Sequence, residues 1–205
     1  MRTVRSQGVP ADLRARFWLR VSGAESAQRA AGPDYYAQLL ARPATARDAE
    51  AAKQIELDLP RTFGDHPWLR CEPARDALRR VLVACARAAP ETGYAQSMNY
   101  VAAFALLVFR ADEEAAFWVV RTALERLTAP QTYARDLEGL RVELRVLTAL
   151  LRAKTPRAAA ALRALDADAS LIATEWLLCL FTCTLPAEVC VCFAAGKVAD
   201  CGKQP

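Results

Sequence analysis

Residues 93–110 read GYAQSMNYVAAFALLVFR, and the reading of this stretch decides the fold. Gly93 marks a turn, Ser97 offers a hydroxyl able to cap a helix, and from Met98 the chain is almost wholly apolar until Arg110. The run from Tyr100 to Arg110 is too short to cross a bilayer, which needs about 20 residues. It is therefore predicted to be a helix buried inside a globular core. A helix N-terminus presents free N–H groups and a positive dipole end, which favour phosphate oxygens nearby. Gln96 sits just ahead of that end.

Moving outward from this helix, the rest of the chain also reads as helical. Alanine is heavily used, glycine is scarce and β-branched alternation is slight. Pro10 precedes an amphipathic segment through Val21, stopped near Gly23. Gly32-Pro33 starts a short one through Ala41. Thr45-Ala-Arg-Asp48 reads as a capping box for a helix running toward Leu59. Pro73 sits early in a segment that ends before Pro90. Asp112 can cap Glu113 to Leu127. Leu137, Leu140, Leu144, Leu147 and Leu151 share one helical face, and Ser170 can cap the helix containing Trp176. The expectation is roughly nine or ten helices, no sheet and no internal repeat. Leu171 to Gly196 is apolar but is interrupted by Glu175, Pro186 and Glu188, so no membrane span is predicted.

A chain of 205 residues suits one compact domain or two closely joined helical lobes. Hydrophobic residues make up 54% and charged residues 24%, the balance of a globular protein with a sizeable core. The net charge of +4 comes without a basic run or a nucleic-acid motif, so nucleic acid is not an expected partner. An acidic protein or an anionic membrane is compatible, and the charge selects neither. The 7 cysteines form no CxxC pair and His66 is the only histidine, so no metal site is predicted. The N-terminus, Met1-Arg2-Thr3-Val4-Arg5, lacks the apolar stretch of a signal peptide. Reduced thiols and a cytoplasmic location follow as expectations.

Self-contained catalysis finds no support. There is no Gly-rich phosphate loop, no histidine-based triad and no ligand cluster. Chemistry, if present, is expected to be contributed to another protein's site. Residues 55–63, IELDLPRTF, offer one candidate. Pro60 pushes Leu59 out of helical geometry, which places Arg61 on a connecting loop. The plainer reading makes Arg61 a surface arginine paired with Asp58. Gln96 offers the other candidate, and its plainer reading is a polar loop residue.

Taken together these segments carry a resemblance. Gly8-Val9-Pro10-x-x-Leu13-Arg14-x-x-x-Trp18-x-x-x-Ser22-Gly23, then Ile55-x-x-Asp58-x-x-Arg61-Thr62-Phe63, then Gly93-Tyr94-x-Gln96-x-Met98-Asn99, resemble the three signature blocks of TBC-domain Rab GTPase-activating proteins. Ala116-Phe117-Trp118, Asp136-Leu-x-Gly139-Leu and Ala173-Thr174-x-Trp176-x-x-Cys179-Leu-Phe181 are similar to later stretches of that family. The likeness covers residues 5 to 189. It implies an all-α, two-lobed helical domain over 1–189. It also implies that Arg61 and Gln96 enter the site of a Rab-family GTPase from outside, on one exposed groove of the N-terminal half. Arg61 would stabilise charge on the transferring phosphoryl group and Gln96 would orient the attacking water. GTP and Mg²⁺ would belong to the partner, leaving this chain without a cofactor of its own and acting as an activator rather than a self-contained enzyme. Its place would be cytoplasmic, peripheral on endomembranes through the partner.

The remaining motif residues read as supports. Arg14 and Asp58 form either a buried pair that fixes the helix leading to Arg61 or a pair at the surface. Trp18, Trp118 and Trp176 read as core. Tyr94 packs near Gln96 or touches the partner. Asn99 hydrogen-bonds backbone in the adjoining turn. Cys179 and Cys183 share a helix face as buried packing. Two departures stand out. Ser97 replaces the family's usual glycine, a change that a helix cap should tolerate. Residues 190–205 form a divergent tail where the family continues into closing helices, so the C-terminal lobe is expected to be incomplete. The alternative function is a catalytically weak or inactive Rab-binding module.

Overall fold

The computed structural model describes residues 10–185, excluding the side chains of residues 11 and 12. The divergent tail over 190–205 lies outside the described residues. Among these the chain is all-helical. Its helices are α1 (Ala11–Val21), α2 (Ala24–Ala31), α3 (Tyr35–Ala41), α4 (Ala46–Asp58), α5 (Glu72–Ala88), α6 (Met98–Val108), α7 (Glu113–Arg126), α8 (Glu138–Lys154), α9 (Pro156–Ala164) and α10 (Ser170–Leu178). A 3₁₀ turn, Leu59–Arg61, follows α4 directly. Helices α2 and α9 lack linkers of their own. Gly23, at φ 81°, turns α1 straight into α2, and Thr155 both ends α8 and opens α9.

Helix α7 is the hub of the larger lobe and packs against α1, α2, α5 and α6. Phe117 and Trp118 are fully buried on it. The Trp118 indole donates to Glu114 at 3.3 Å, and its ring meets Tyr35 with centroids 5.4 Å apart. Helix α5 brings Leu78, Val81 and Leu82 into the same core, with Ala74, Ala77 and Ala84 keeping the neighbouring helices close. Helix α6 buries residues on every side, as its unbroken apolar run requires.

The caps follow the sequence at two positions and depart from it at two. Thr45 and Asp48 make both bonds of a capping box, and Asp112 accepts from the Ala115 N–H. Ser97 does not cap α6 with its side chain. It sits at φ 88°, in the left-handed region where glycine is favoured. Ser170 is the first residue of α10 rather than its cap, and Asp168 accepts from its N–H at 2.7 Å.

Helices α8, α9 and α10 form the smaller lobe, α8 packing on both of the others. Its attachment to the larger lobe is specific. Gly139 lies so close to the 130–132 turn that a Cβ would stand 2.2 Å from the Pro130 carbonyl oxygen. Tyr133 reaches from that region to donate to the Leu178 carbonyl at 2.7 Å. Only Gly139 and Leu140 are fully buried on α8. Trp176, expected in the core, is half-buried, because it lines an open apolar groove of about 360 Å³ with Trp18, Phe104, Leu127 and Leu180. Cys179 is buried, whereas Cys183 is half-buried at the edge of a cleft.

Candidate functional site

Helix α4 stops because Pro60 cannot continue it, and the 3₁₀ turn that follows projects Arg61 outward. Arg61 is about half exposed, while Asp58, one turn earlier, is buried. Arg61 Nη2 donates to Asp58 Oδ1 at 2.5 Å, and the Tyr94 hydroxyl donates to Asp58 Oδ2. A carboxylate with 3% exposure is thus held by two donors, one from its own turn and one from the Gly93–Gln96 loop. Burial, with the adjacent Asp58 charge, pushes the Tyr94 phenol well above its ordinary range, so it stays a hydrogen-bond donor. The pairing of Arg61 with Asp58 expected from the plainer reading is present, and it links the two candidate segments.

A second link runs beneath the first. Thr62 Oγ1 donates to the Asp58 carbonyl at 2.7 Å and accepts from Asn99 Nδ2 at 2.7 Å. Asn99 Oδ1 accepts from the Ser97 N–H at 3.1 Å. Thr62 is 2% exposed and Asn99 0%. Asn99 therefore does more than satisfy its own turn: it fastens the start of α6 to the end of α4. Thr62 is a contributor that sequence reasoning did not single out, although it follows Arg61 directly in the second block. Tyr100 is another. Its ring sits edge-on to Phe63 with centroids 5.3 Å apart, and its hydroxyl donates to the Arg61 carbonyl at 3.4 Å.

Arg61 lines an open cleft of about 660 Å³ together with Phe63, Tyr100, Phe104, Glu175 and Cys183. Gln96 is exposed on the adjoining loop but is not part of this lining. The cleft also lies between the lobes, not within the N-terminal half as expected, because α10 and the segment after it supply one wall. Trp18 is half-buried against Phe104, ring centroids 6.1 Å apart, in the neighbouring groove. Arg14 is half-buried on α1. No group of three or more potential metal ligands occurs among the described residues. None of the described helices is long and apolar enough to cross a membrane.

Hydrogen bonds thus tie the loop that carries Arg61 to the loop that carries Gln96 in an all-helical chain. A family model for the Rab-GTPase-TBC domain matches residues 11–193, and the chain belongs to that family. It is similar to TBC1 domain family member 2A of Mus musculus, 39% identical over 184 residues that are 89% of this chain and 20% of that protein. It is also similar to growth hormone-regulated TBC protein 1 of Homo sapiens, 34% identical over 95% of this chain and 56% of that protein. The chain thus spans about a fifth to about half of these curated relatives. Among solved structures, the Chlamydomonas flagellar RabGAP TBC domain superposes with a TM-score of 0.81 at 34% identity, over 95% of this chain and 63% of that one. The Ypt/Rab-GAP domain of Gyp1p, at 17% identity and a TM-score of 0.74 over 94% of this chain and 71% of that one, shares the fold.

Proposed function

We propose that this chain stimulates GTP hydrolysis by a Rab-type GTPase, with Arg61 stabilising charge on the transferring phosphoryl group and Gln96 orienting the attacking water. The observation that supports this reading is the double tie between the two loops: Asp58 bridges Arg61 and Tyr94, and Thr62 bridges Asp58 and Asn99. The link joins the loop of Arg61 to the loop of Gln96, 35 positions away, and so supports the reading that both side chains act on one incoming phosphate. Arginine suits the task through its permanent charge and forked donors, and such a finger is worth about 10³–10⁵ in rate. Arg14, Trp18, Asp58, Tyr94 and Asn99 serve as supports. The nucleotide and its Mg²⁺ belong to the GTPase.

The test is a phosphate-release assay across a panel of GTP-loaded Rab proteins. Arg61→Ala and Arg61→Lys are expected to abolish most stimulation, and Gln96→Ala to lower it while binding persists. Wild-type rates in all three variants would defeat the reading. Binding without any rate gain in the unaltered chain would establish the alternative, an inactive Rab-binding module.

A further inference from the structure

The hairpin of α8 and α9 carries a local excess of positive charge from Arg141 to Arg163, flanked by Glu138 before that stretch and Asp166 and Asp168 after it. Between Arg141 and Arg163 there are six Arg or Lys residues and one carboxylate, Glu143, so this stretch alone exceeds the net charge of +4 and the remainder is slightly acidic. Glu143 is turned inward, its Oε1 accepting from the Ala129 N–H at 2.7 Å and its Oε2 buried. The basic residues of the hairpin are all exposed, and none forms an ion pair among the described residues. Several arginines of the larger lobe are paired by contrast: Arg42, Arg79, Arg80 and Arg121 each have a carboxylate within 4.0 Å. Exposed Asp168 is held below the ordinary carboxylate range by its hydrogen bonds from Ser170, with a smaller contribution from the Arg152 charge.

The apolar residues complete the pattern. At about 100° per residue, Arg141, Arg145 and Arg152 fall in one stripe of α8 and Val142, Val146 and Leu150 in the stripe beside it. The second stripe is 41%, 54% and 50% exposed. Leu165, Leu171 and Ile172 are exposed on the same lobe. A nucleic acid would use the charges but not the apolar stripe. A second copy docked face to face would set like charges against each other. A folded peptide partner would need a groove, and the cleft and groove described above take none of their lining from this hairpin. Basic and apolar stripes side by side on a convex helical surface match a charged bilayer interface.

We propose that the exposed face of α8 and α9 docks directly on an anionic membrane surface, placing Arg141, Arg145 and Arg152 at the headgroups and Val142, Val146 and Leu150 in the interface. This contact is independent of the GTPase reading and would hold the domain on a membrane without help from a membrane-bound partner.

Flotation of the purified chain with vesicles tests it, comparing phosphatidylcholine alone with phosphatidylcholine containing roughly one-third phosphatidylserine. Association is expected with the anionic vesicles only and is expected to fade as salt shortens the Debye length from ~10 Å toward ~3 Å. Each basic side chain near such a surface strengthens association about five-fold, so R141Q/R145Q/R152Q should weaken it about 100-fold. V142S/V146S/L150S should weaken it as well, with both variants folded by circular dichroism, and Arg61→Ala should leave it unchanged. Equal binding to neutral vesicles, wild-type binding by the triple arginine variant, or binding to soluble polyglutamate but not to vesicles would overturn the proposal. So would a dimer that the serine substitutions convert to a monomer.

Discussion

Replacing Thr62 by Val changes almost no volume and removes one oxygen from the bridge between the two loops. The lost hydroxyl donates to the Asp58 carbonyl at 2.7 Å, a bond worth about 1 kcal/mol net. It also accepts from Asn99 Nδ2 at 2.7 Å. Asn99 is 0% exposed, so its amide would lose a partner where water cannot replace it, at about 1–3 kcal/mol. The expected destabilisation is about 3 kcal/mol. For a chain of this length each 1 kcal/mol lowers Tm by about 2–4 °C, so the melting point should fall by roughly 6–12 °C. Thr62→Ser keeps the hydroxyl and loses a methyl, which should cost only about 1 kcal/mol.

Thermal and urea unfolding followed by circular dichroism give the stability arm. The activity arm is measured where every variant is folded. A loosened bridge should lower kcat for GTP hydrolysis while KM for the GTPase stays near wild type, because misplacement of ~1 Å at a reacting centre can cost about 100-fold. A double-mutant cycle between Thr62→Val and Asn99→Ala should show a coupling of about 1–2 kcal/mol. Thr62→Val within ~0.5 kcal/mol of wild type, or Thr62→Ser more damaging than Thr62→Val, would refute the reasoning.

Ser97→Gly should raise stability by about 1 kcal/mol, since Ser97 stands at φ 88° without a compensating cap bond; a lower Tm would contradict this. Gly139→Ala should destabilise by about 3 kcal/mol or more, because the new Cβ meets backbone at 2.2 Å from Pro130 and 2.4 Å from Thr132; wild-type urea unfolding would contradict it. Burial works against ionisation of Glu113, but hydrogen bonds from Arg80 and Tyr36 outweigh it and hold its carboxyl below the ordinary value of 4.5. Its contribution is therefore present above that value and lost as pH falls through the lower native one, so Glu113→Gln should flatten the acid limb of a stability profile; parallel limbs would sink the assignment.

What the sequence showed and what it hid divide by range. The capping box at Thr45 and Asp48 and the cap at Asp112 involve residues three apart, and both were legible. So was the burial of α6, because an unbroken apolar run leaves no polar face. Ser97 looked like a cap by residue type, but it stands at φ 88° with its N–H donated to Asn99 Oδ1, a backbone conformation that residue type does not announce. The tie between Thr62 and Asn99 spans 37 positions, and neither residue announces a partner. Trp176 has apolar neighbours suited to a core, yet the groove it faces is open among the described residues. Of the candidate site, the membership of each loop was readable from motif blocks. That Tyr94 and Arg61 share one carboxylate was not.

That shared carboxylate bears on how the plain and the catalytic readings of Arg61 are told apart. A surface arginine paired with an aspartate three residues back is ordinary, and such pairs contribute little to stability. Here Asp58 is buried and already receives the Tyr94 hydroxyl, so the pair orients the arginine more than it stabilises the turn. Only Nη2 of the guanidinium is engaged with Asp58, while the side chain lines the cleft. A forked group can keep one donor on Asp58 and present others to an incoming anion. A lysine has a single ammonium centre, and the nearby buried carboxylate would draw it back from the cleft. Arg61→Lys therefore separates the two readings: a surface pair predicts little change in either stability or rate, whereas a fork that must serve Asp58 and a phosphate together predicts retained folding with hydrolysis lost.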